Sequence, residues 1–156
     1  MTRASPLLTA LAAVVGRWRG LDLDACVIHA DLFPDNVLMR GDAITGLIDF
    51  YFACTDIRLY DLAIAHGAWA FDASGARFDA GVGDALIAGY EEAYPMSDAE
   101  RAAFPTLAAG ACLRFTLSRA WDWLNTPADA LVTRKDPLAY WRRLGHYAPE
   151  LTKRVR

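Results

Sequence analysis

Three side chains in the first third of the chain have the types and spacing that phosphoryl transfer requires. Asp31 lies in the segment HADLFPDN of residues 29–36, Asn36 ends that segment, and Asp49 follows the apolar pair Leu47-Ile48. An aspartate can accept the proton of an attacking hydroxyl, while an amide oxygen and a second carboxylate bind Mg²⁺. The sequence therefore predicts the catalytic half of an ATP-dependent kinase, with Asp31 as the base and Asn36 and Asp49 as the magnesium ligands.

The residues around these groups predict the elements that position them. Residues 25–28 predict a short buried strand that leads into the loop of residues 29–36. Residues 37–40 and 43–48 flank a Gly-Asp turn and predict a hairpin, which places Asp49 at a strand exit. We group His29 with Asp31 as catalytic, and we expect His29 to support the loop by hydrogen bonding rather than to transfer a proton.

Helical spacing of apolar residues dominates the rest of the chain. It predicts a first helix between Ser5-Pro6 and Gly20, followed by helices over 59–71, 80–94, a stretch from 97 to about 124, and 136–147. Ser97 to Glu100 form a capping box, and Pro105 either breaks that fourth stretch or begins its longer part. We therefore expect one α+β, mostly helical domain over residues 1–156, with a small β-hairpin carrying the catalytic loop.

Composition excludes several classes of protein. The net charge is −3 and no block of Lys or Arg occurs, which argues against nucleic acid or an anionic membrane as a main partner. Three distant cysteines without CxxC spacing predict buried, reduced thiols in a cytoplasmic protein. The 54% apolar content fits either an Ala-rich helical domain or a surface that faces another lobe.

The motif strings resemble the aminoglycoside phosphotransferase and choline kinase superfamily, and more narrowly its homoserine kinase branch. The strings that carry the resemblance are residues 27–37 (VIHADLFPDNV), 46–54 (GLIDFYFAC), 60–64 (YDLAI), 114–115 (RF), 118–119 (SR) and 135–137 (KDP). The likeness runs from about residue 7 to 147 and covers only the C-terminal lobe of such enzymes. No segment before His29 resembles the N-terminal lobe, which holds the glycine-rich loop and the ATP-binding lysine.

The resemblance implies roles for the matching residues. Asp31 matches the catalytic base, Asn36 and Asp49 match the Mg²⁺ ligands, and Asp61 matches an acidic residue that braces the catalytic loop. Many members of the superfamily have Gly where Ala30 stands, while the homoserine kinase branch accepts Ala. The implied reaction is transfer of the ATP γ-phosphoryl group to the side-chain hydroxyl of L-homoserine, a step of threonine biosynthesis.

Recognition of homoserine requires groups for its ammonium and its carboxylate. Asp35 is the candidate for the ammonium, and Arg119 or Arg114 is the candidate for the carboxylate, although either arginine also fits a surface or interhelical ion pair. Two rival interpretations remain, namely a kinase of the same superfamily for an aminoglycoside, choline or a sugar, and a truncated, inactive binding module. We expect the 156 residues alone to show negligible ATP turnover, and to need a nucleotide lobe or a self-association partner.

Overall fold

The computed structural model describes residues 5–127, 130–131 and 134–152, and the remaining residues of the expected domain lie outside this description. Two short antiparallel sheets follow the first helix and precede the other helices. The elements in chain order are α1 (Pro6–Trp18), β1 (Ala25–Ile28), β2 (Val37–Arg40), β3 (Ala43–Leu47), β4 (Cys54–Ile57), α2 (Leu59–Trp69), α3 (Ala80–Ala93), α4 (Asp98–Asn125), α5 (Leu138–Tyr147) and α6 (Pro149–Thr152). Two 3₁₀ turns, Pro34–Asn36 and Phe50–Phe52, lie beside the strands. The prediction of a mostly helical α+β fold is confirmed.

The strands form two separate two-stranded ribbons. β1 pairs with β4, and β2 pairs with β3 across the Gly41-Asp42 turn, with a bulge between Leu38 and Met39. The loop of residues 29–36 lies between β1 and β2, so it joins the two ribbons. β4 is absent from the sequence-based prediction because two of its four residues, Thr55 and Asp56, are polar and give no clean alternation.

The prediction that β1 is buried is wrong for most of the strand. Only Ile28 is buried, and Val27 is 78% exposed, because β1 pairs with β4 alone and, among the described residues, the hydrophobic core reaches this ribbon only at Ile28 and Ile57. The prediction of buried thiols is wrong for two of the three cysteines, for the same reason. Cys26 and Cys54 lie on this exposed ribbon, and only Cys112, within α4, is buried, although all three are free thiols.

The hydrophobic core lies between α2 and α4, with α1 and α5 packed against α4. Leu59 and Ile64 of α2 and Leu107 and Leu113 of α4 are at most 2% exposed. Burial of such side chains stabilises the fold by about 1.5–3 kcal/mol each. Within the described chain, no helix combines the length and the apolar character that crossing a bilayer demands.

The fourth helix is continuous through the position where the sequence pattern predicted a break or a new start. The capping box at Ser97 and Glu100 is confirmed, and α4 then continues unbroken for 28 residues. Pro105 neither breaks this helix nor begins it. Pro105 has no N–H to donate to the Arg101 carbonyl, so one hydrogen bond of the helix is missing. Both residues are exposed, and water can therefore satisfy that carbonyl.

His66 makes folding stability depend on pH. Its ring is buried, Nδ1 lies 2.6 Å from the Tyr147 hydroxyl, and the ring stacks on Phe78. Burial, helped by the nearby His146 and opposed by Asp84, lowers the pKa of His66 to about 4. An unfolded histidine has a pKa of about 6.5, so the unfolded state takes up the proton first as the pH falls.

We therefore expect the contribution of His66 to the free energy of unfolding to be complete above pH 6.5 and to decline as the pH falls toward 4. Allowing for partial solvent screening, His66 accounts for about 1–2 kcal/mol of the difference between pH 7.5 and pH 5. Urea unfolding at both pH values measures this loss, and His66→Gln, which cannot take up the proton, should reduce it. A loss of equal size in His66→Gln contradicts the assignment to this residue.

Candidate active site

The loop after β1 turns sharply at a left-handed residue. Ala30 has φ 60°, a conformation that residues with a Cβ adopt at a cost of about 1 kcal/mol or more. The Asp61 carboxylate, in the first turn of α2, accepts hydrogen bonds from the backbone N–H groups of His29 (2.7 Å) and Ala30 (2.8 Å). These two bonds fix the direction in which the chain leaves β1, and therefore the position of Asp31.

His29 links this loop to the end of β3. Its Nε2–H donates to the Ile48 carbonyl at 2.9 Å, and its Nδ1 accepts from the Asp31 N–H at 3.3 Å. The buried ring also lies against Phe50, with 4.6 Å between the ring centroids. Because both ring nitrogens are engaged by the backbone, these contacts favour the supporting role of His29 over proton transfer.

Asn36 connects Asp31 to the segment that carries Asp49. The Asn36 side chain is buried, and its Nδ2 donates to the Asp31 carbonyl at 2.7 Å and to the Asp31 carboxylate at 3.3 Å. The Asn36 carbonyl accepts from the Ile48 N–H at 3.0 Å. The amide nitrogen of Asn36 is thereby committed to Asp31, which leaves the amide oxygen as the atom free to bind a cation.

Asp49 is the second residue of the site with a left-handed backbone, at φ 62°. Its side chain is exposed, and within the described residues its carboxylate makes no hydrogen bond or ion pair. A free carboxylate and a free amide oxygen in the same part of the chain suit Mg²⁺, which keeps several waters and binds through one or two carboxylates and substrate phosphates. The described residues contain no group of three or more His, Cys, Asp or Glu side chains able to hold a metal without such additional ligands.

Asp31, Asn36 and Asp49 line one open cleft of about 630 Å³. All three substrate-binding candidates line it as well, so six of the eight residues selected from the sequence meet in this cleft. The other two, His29 and Asp61, do not line it and instead contact the loop that carries Asp31. The remaining lining residues are Phe33, Phe52, Phe115, Ser118, Asp122, Thr126, Arg134 and Lys135.

Most of the negative and positive charges lie on different walls of the cleft. The loop and the strand exit contribute Asp31, Asp35 and Asp49, and α4 contributes Arg114 and Arg119 together with one carboxylate, Asp122. Burial raises the pKa of Asp31 above its usual value, although the Arg114 charge and the Asn36 hydrogen bond oppose this shift. A raised pKa makes the Asp31 carboxylate a stronger base while it remains partly accessible.

The two arginines of α4 have different surroundings. Arg114 donates to the Ala30 carbonyl at 2.5 Å, and its guanidinium lies over the Phe52 and Phe115 rings. Arg119 lies over the Tyr140 ring at 4.6 Å and makes one long hydrogen bond, 3.4 Å, to the Asp136 carbonyl. Burial lowers the pKa of Arg119. Because the one hydrogen bond of Arg119 is much longer than that of Arg114, the Arg119 guanidinium is less committed to the protein and more readily available to a ligand in the cleft.

Lys135 is a cleft residue that the sequence patterns did not select as a site residue. Its ammonium lies 3.4 Å from the Asp35 carboxylate and 5.8 Å from the Phe33 ring centroid. The pair joins residues 100 positions apart in sequence, so no local pattern indicates it. The only signal is the KDP string of residues 135–137, which belongs to the family resemblance and carries no role by itself.

Comparison with known proteins identifies the family. The model of the phosphotransferase enzyme family matches residues 3–96, which is more than half of the chain. The chain belongs to the phosphotransferase enzyme family.

Its similarity to homoserine kinases is more specific. The chain is 60% identical over 136 residues to the homoserine kinase of Gluconacetobacter diazotrophicus, a match that covers 86% of the chain and 42% of that protein. It is 55% identical over 149 residues to that of Gluconobacter oxydans, covering 92% of the chain and 47% of the relative. It is 56% identical over 126 residues to the homoserine kinase of Zymomonas mobilis, covering 81% of the chain and 39% of the relative. The chain thus spans less than half the length of these curated relatives.

Proposed function

We propose that this chain is the catalytic and acceptor-binding lobe of a kinase that transfers the ATP γ-phosphoryl group to the hydroxyl of L-homoserine. The observation that carries the proposal is the convergence of Asp31, Asn36 and Asp49 on one cleft, in a chain 55–60% identical to homoserine kinases. The lobe is kinase-like, and the β2–β3 hairpin carries its catalytic loop. The pathway would be threonine biosynthesis in the cytoplasm.

In this proposal each polar side chain of the loop has one task. Asp31 orients the acceptor hydroxyl and accepts its proton as the bond to phosphorus forms. Asn36, through its amide oxygen, and Asp49, through its carboxylate, hold Mg²⁺. The ion, when bound, neutralises negative charge on the phosphates of ATP. Asp61 and His29 keep the loop in the required conformation through the backbone bonds described above.

The acceptor would be held by groups of opposite charge across the cleft. Arg119 is the better candidate for the homoserine carboxylate, because the Arg114 guanidinium is already engaged by a carbonyl and two rings. Asp35 is the candidate for the ammonium, and its pairing with the Lys135 ammonium illustrates this capacity. Choline lacks the carboxylate and aminoglycosides are polycations, so this division of charge favours an amino acid.

A second partner is proposed for the exposed ribbons. Apolar side chains on the two ribbons and the adjoining 3₁₀ turn are exposed: Val27, Leu38, Met39, Ile44, Leu47, Ile48, Phe50, Tyr51 and Phe52. So many exposed apolar side chains in neighbouring segments favour contact with another protein surface. Because the relatives are more than twice as long as their matched segments, we propose that a nucleotide-binding lobe covers it, with a second copy of the chain as the alternative.

An acceptor panel tests the proposed reaction. Residues 5–152 would replace the matching segment of the Gluconacetobacter diazotrophicus homoserine kinase, and ATP-dependent phosphorylation would be measured with L-homoserine, choline, a sugar and an aminoglycoside. We expect homoserine to be preferred by at least about 10²-fold in kcat/KM, as correctly paired charged groups allow. Equal or better turnover of another acceptor contradicts the proposal. The 156-residue chain serves as the control and should show negligible turnover.

A further inference from the structure

The turn before Asp31 is held from two sides by opposite charges. On one side, the Asp61 carboxylate accepts the N–H groups of His29 and Ala30. On the other side, Arg114 donates to the Ala30 carbonyl at 2.5 Å. The residue between these bonds has the left-handed conformation that Ala disfavours, and such a conformation persists only where the surroundings enforce it.

The Arg114 side chain is itself fixed by its neighbours. Its Cζ atom lies 4.7 Å from the centroid of the Phe115 ring and 5.1 Å from that of Phe52. Phe52 ends the 3₁₀ turn that begins immediately after Asp49. One guanidinium therefore contacts the loop that carries Asp31, the turn that follows Asp49, and its own helix α4. A planar, delocalised cation suits these contacts, whereas an ammonium cannot stack and donate in the same way.

We propose that Arg114 is a positioning residue that enforces the left-handed turn at Ala30 and thereby places Asp31, while Arg119 alone receives the acceptor carboxylate. The inference rests on the proposed function for the role of Asp31, and on the geometry alone for the hold on Ala30. Arg114 then contributes to the rate of the chemical step and little to acceptor affinity.

Steady-state kinetics of the chimera separate the two arginines. Arg114→Met should lower kcat about 10- to 100-fold, the loss expected from misplacing a reacting group, and should leave the homoserine KM within about twofold. Arg114→Lys, which keeps the charge, should recover part of that loss. Arg119→Met should raise the homoserine KM about tenfold or more and change kcat little. An Arg114→Met enzyme with raised KM and unchanged kcat overturns the proposal.

A double-mutant cycle with Ala30 tests directly whether Arg114 stabilises the left-handed turn. Gly adopts the left-handed conformation without strain, so Ala30→Gly should make the turn less dependent on Arg114. In the 156-residue chain, Arg114→Met should lower the folding equilibrium constant both in the parent and in the Ala30→Gly background. The fold-decrease should be about five times smaller in the Ala30→Gly background. If the two substitutions have additive effects on stability, the proposal is overturned. It is also overturned if Arg114→Met lowers kcat by the same factor in the chimera with and without Ala30→Gly.

The cycle also separates this inference from the proposed function. It is measured by urea unfolding of the chain itself, with circular dichroism as the check of folding, and it needs no substrate. If the chimera phosphorylates no acceptor, the proposed function fails, whereas coupling between positions 30 and 114 still supports the hold on the turn. If Arg114→Met does not fold, Arg114→Lys with and without Ala30→Gly provides the same cycle, and additivity there overturns the inference.

Discussion

Replacing Asp31 by Asn should lower kcat about 10²- to 10⁴-fold in the chimera and leave the homoserine KM nearly unchanged. Asn has the shape of Asp and can still contact the Asn36 amide, which lies 3.3 Å from the Asp31 carboxylate, so the loop should keep its conformation. What Asn lacks is the ability to accept the hydroxyl proton. The loss is therefore expected in the chemical step, and single-turnover phosphoryl transfer from ATP measures it.

The matched control is Asp42→Asn. Asp42 is an exposed carboxylate at the turn between β2 and β3, outside the cleft, and its replacement removes the same charge. We expect Asp42→Asn to keep the parent kcat. If Asp31→Asn keeps more than about a third of the parent kcat, Asp31 is not the base, since general base catalysis typically contributes about 10²-fold or more to the rate.

Gly75→Ala should destabilise the fold severely. Gly75 is buried at φ +73°, and a Cβ on its backbone would lie 1.9 Å from the Ala139 carbonyl oxygen and 2.8 Å from the Ala139 carbonyl carbon. These are backbone atoms of α5, so no side-chain rotation relieves the clash. Backbone strain alone costs about 1–2 kcal/mol, and displacement of α5 raises the expected loss to about 3 kcal/mol or more, a large part of typical domain stability.

Thermal unfolding of the 156-residue chain measures this effect. A loss of about 3 kcal/mol corresponds to a fall in Tm of about 6–12 °C for a domain of this size. Gly89→Ala is the control, because Gly89 lies within α3 and a Cβ there meets no atom within 4 Å. It should raise stability by up to about 1 kcal/mol, the difference in helix propensity between Gly and Ala. Equal melting of Gly75→Ala and the parent chain contradicts the close approach of α5.

Local patterns predicted most of the elements of this fold. The bounds of β1 and β2 follow from short apolar runs between turn residues, and the helices follow from apolar spacing with Ser97, Pro95 and Asn125 near their ends. α6 is not predicted because its four residues are too few to show a period. The exposure of β1 is not predicted either, since a run such as Ala-Cys-Val-Ile looks the same whether or not another surface covers it.

The site was predictable where its residues are close in sequence. Asp31, Asn36 and Asp49 belong to one loop and one strand exit, so their convergence follows from a single hairpin. The Lys135–Asp35 pair and the bond from Arg114 to Ala30 join segments 100 and 84 residues apart, and such contacts depend on tertiary packing. The left-handed backbone at Ala30 had one indirect signal, the Gly that many superfamily members have at this position.

Asp31, Asn36 and Asp49 together should form a cation-binding site for phosphoryl transfer. Paramagnetic broadening of amide NMR signals by Mn²⁺, with Mg²⁺ as the diamagnetic reference, tests it in the 156-residue chain. We predict broadening centred on residues 29–36 and 48–51 that is lost in Asp49→Asn and kept in Asp42→Asn. Broadening centred elsewhere, or unaffected by Asp49→Asn, would show that these three residues do not form the cation site.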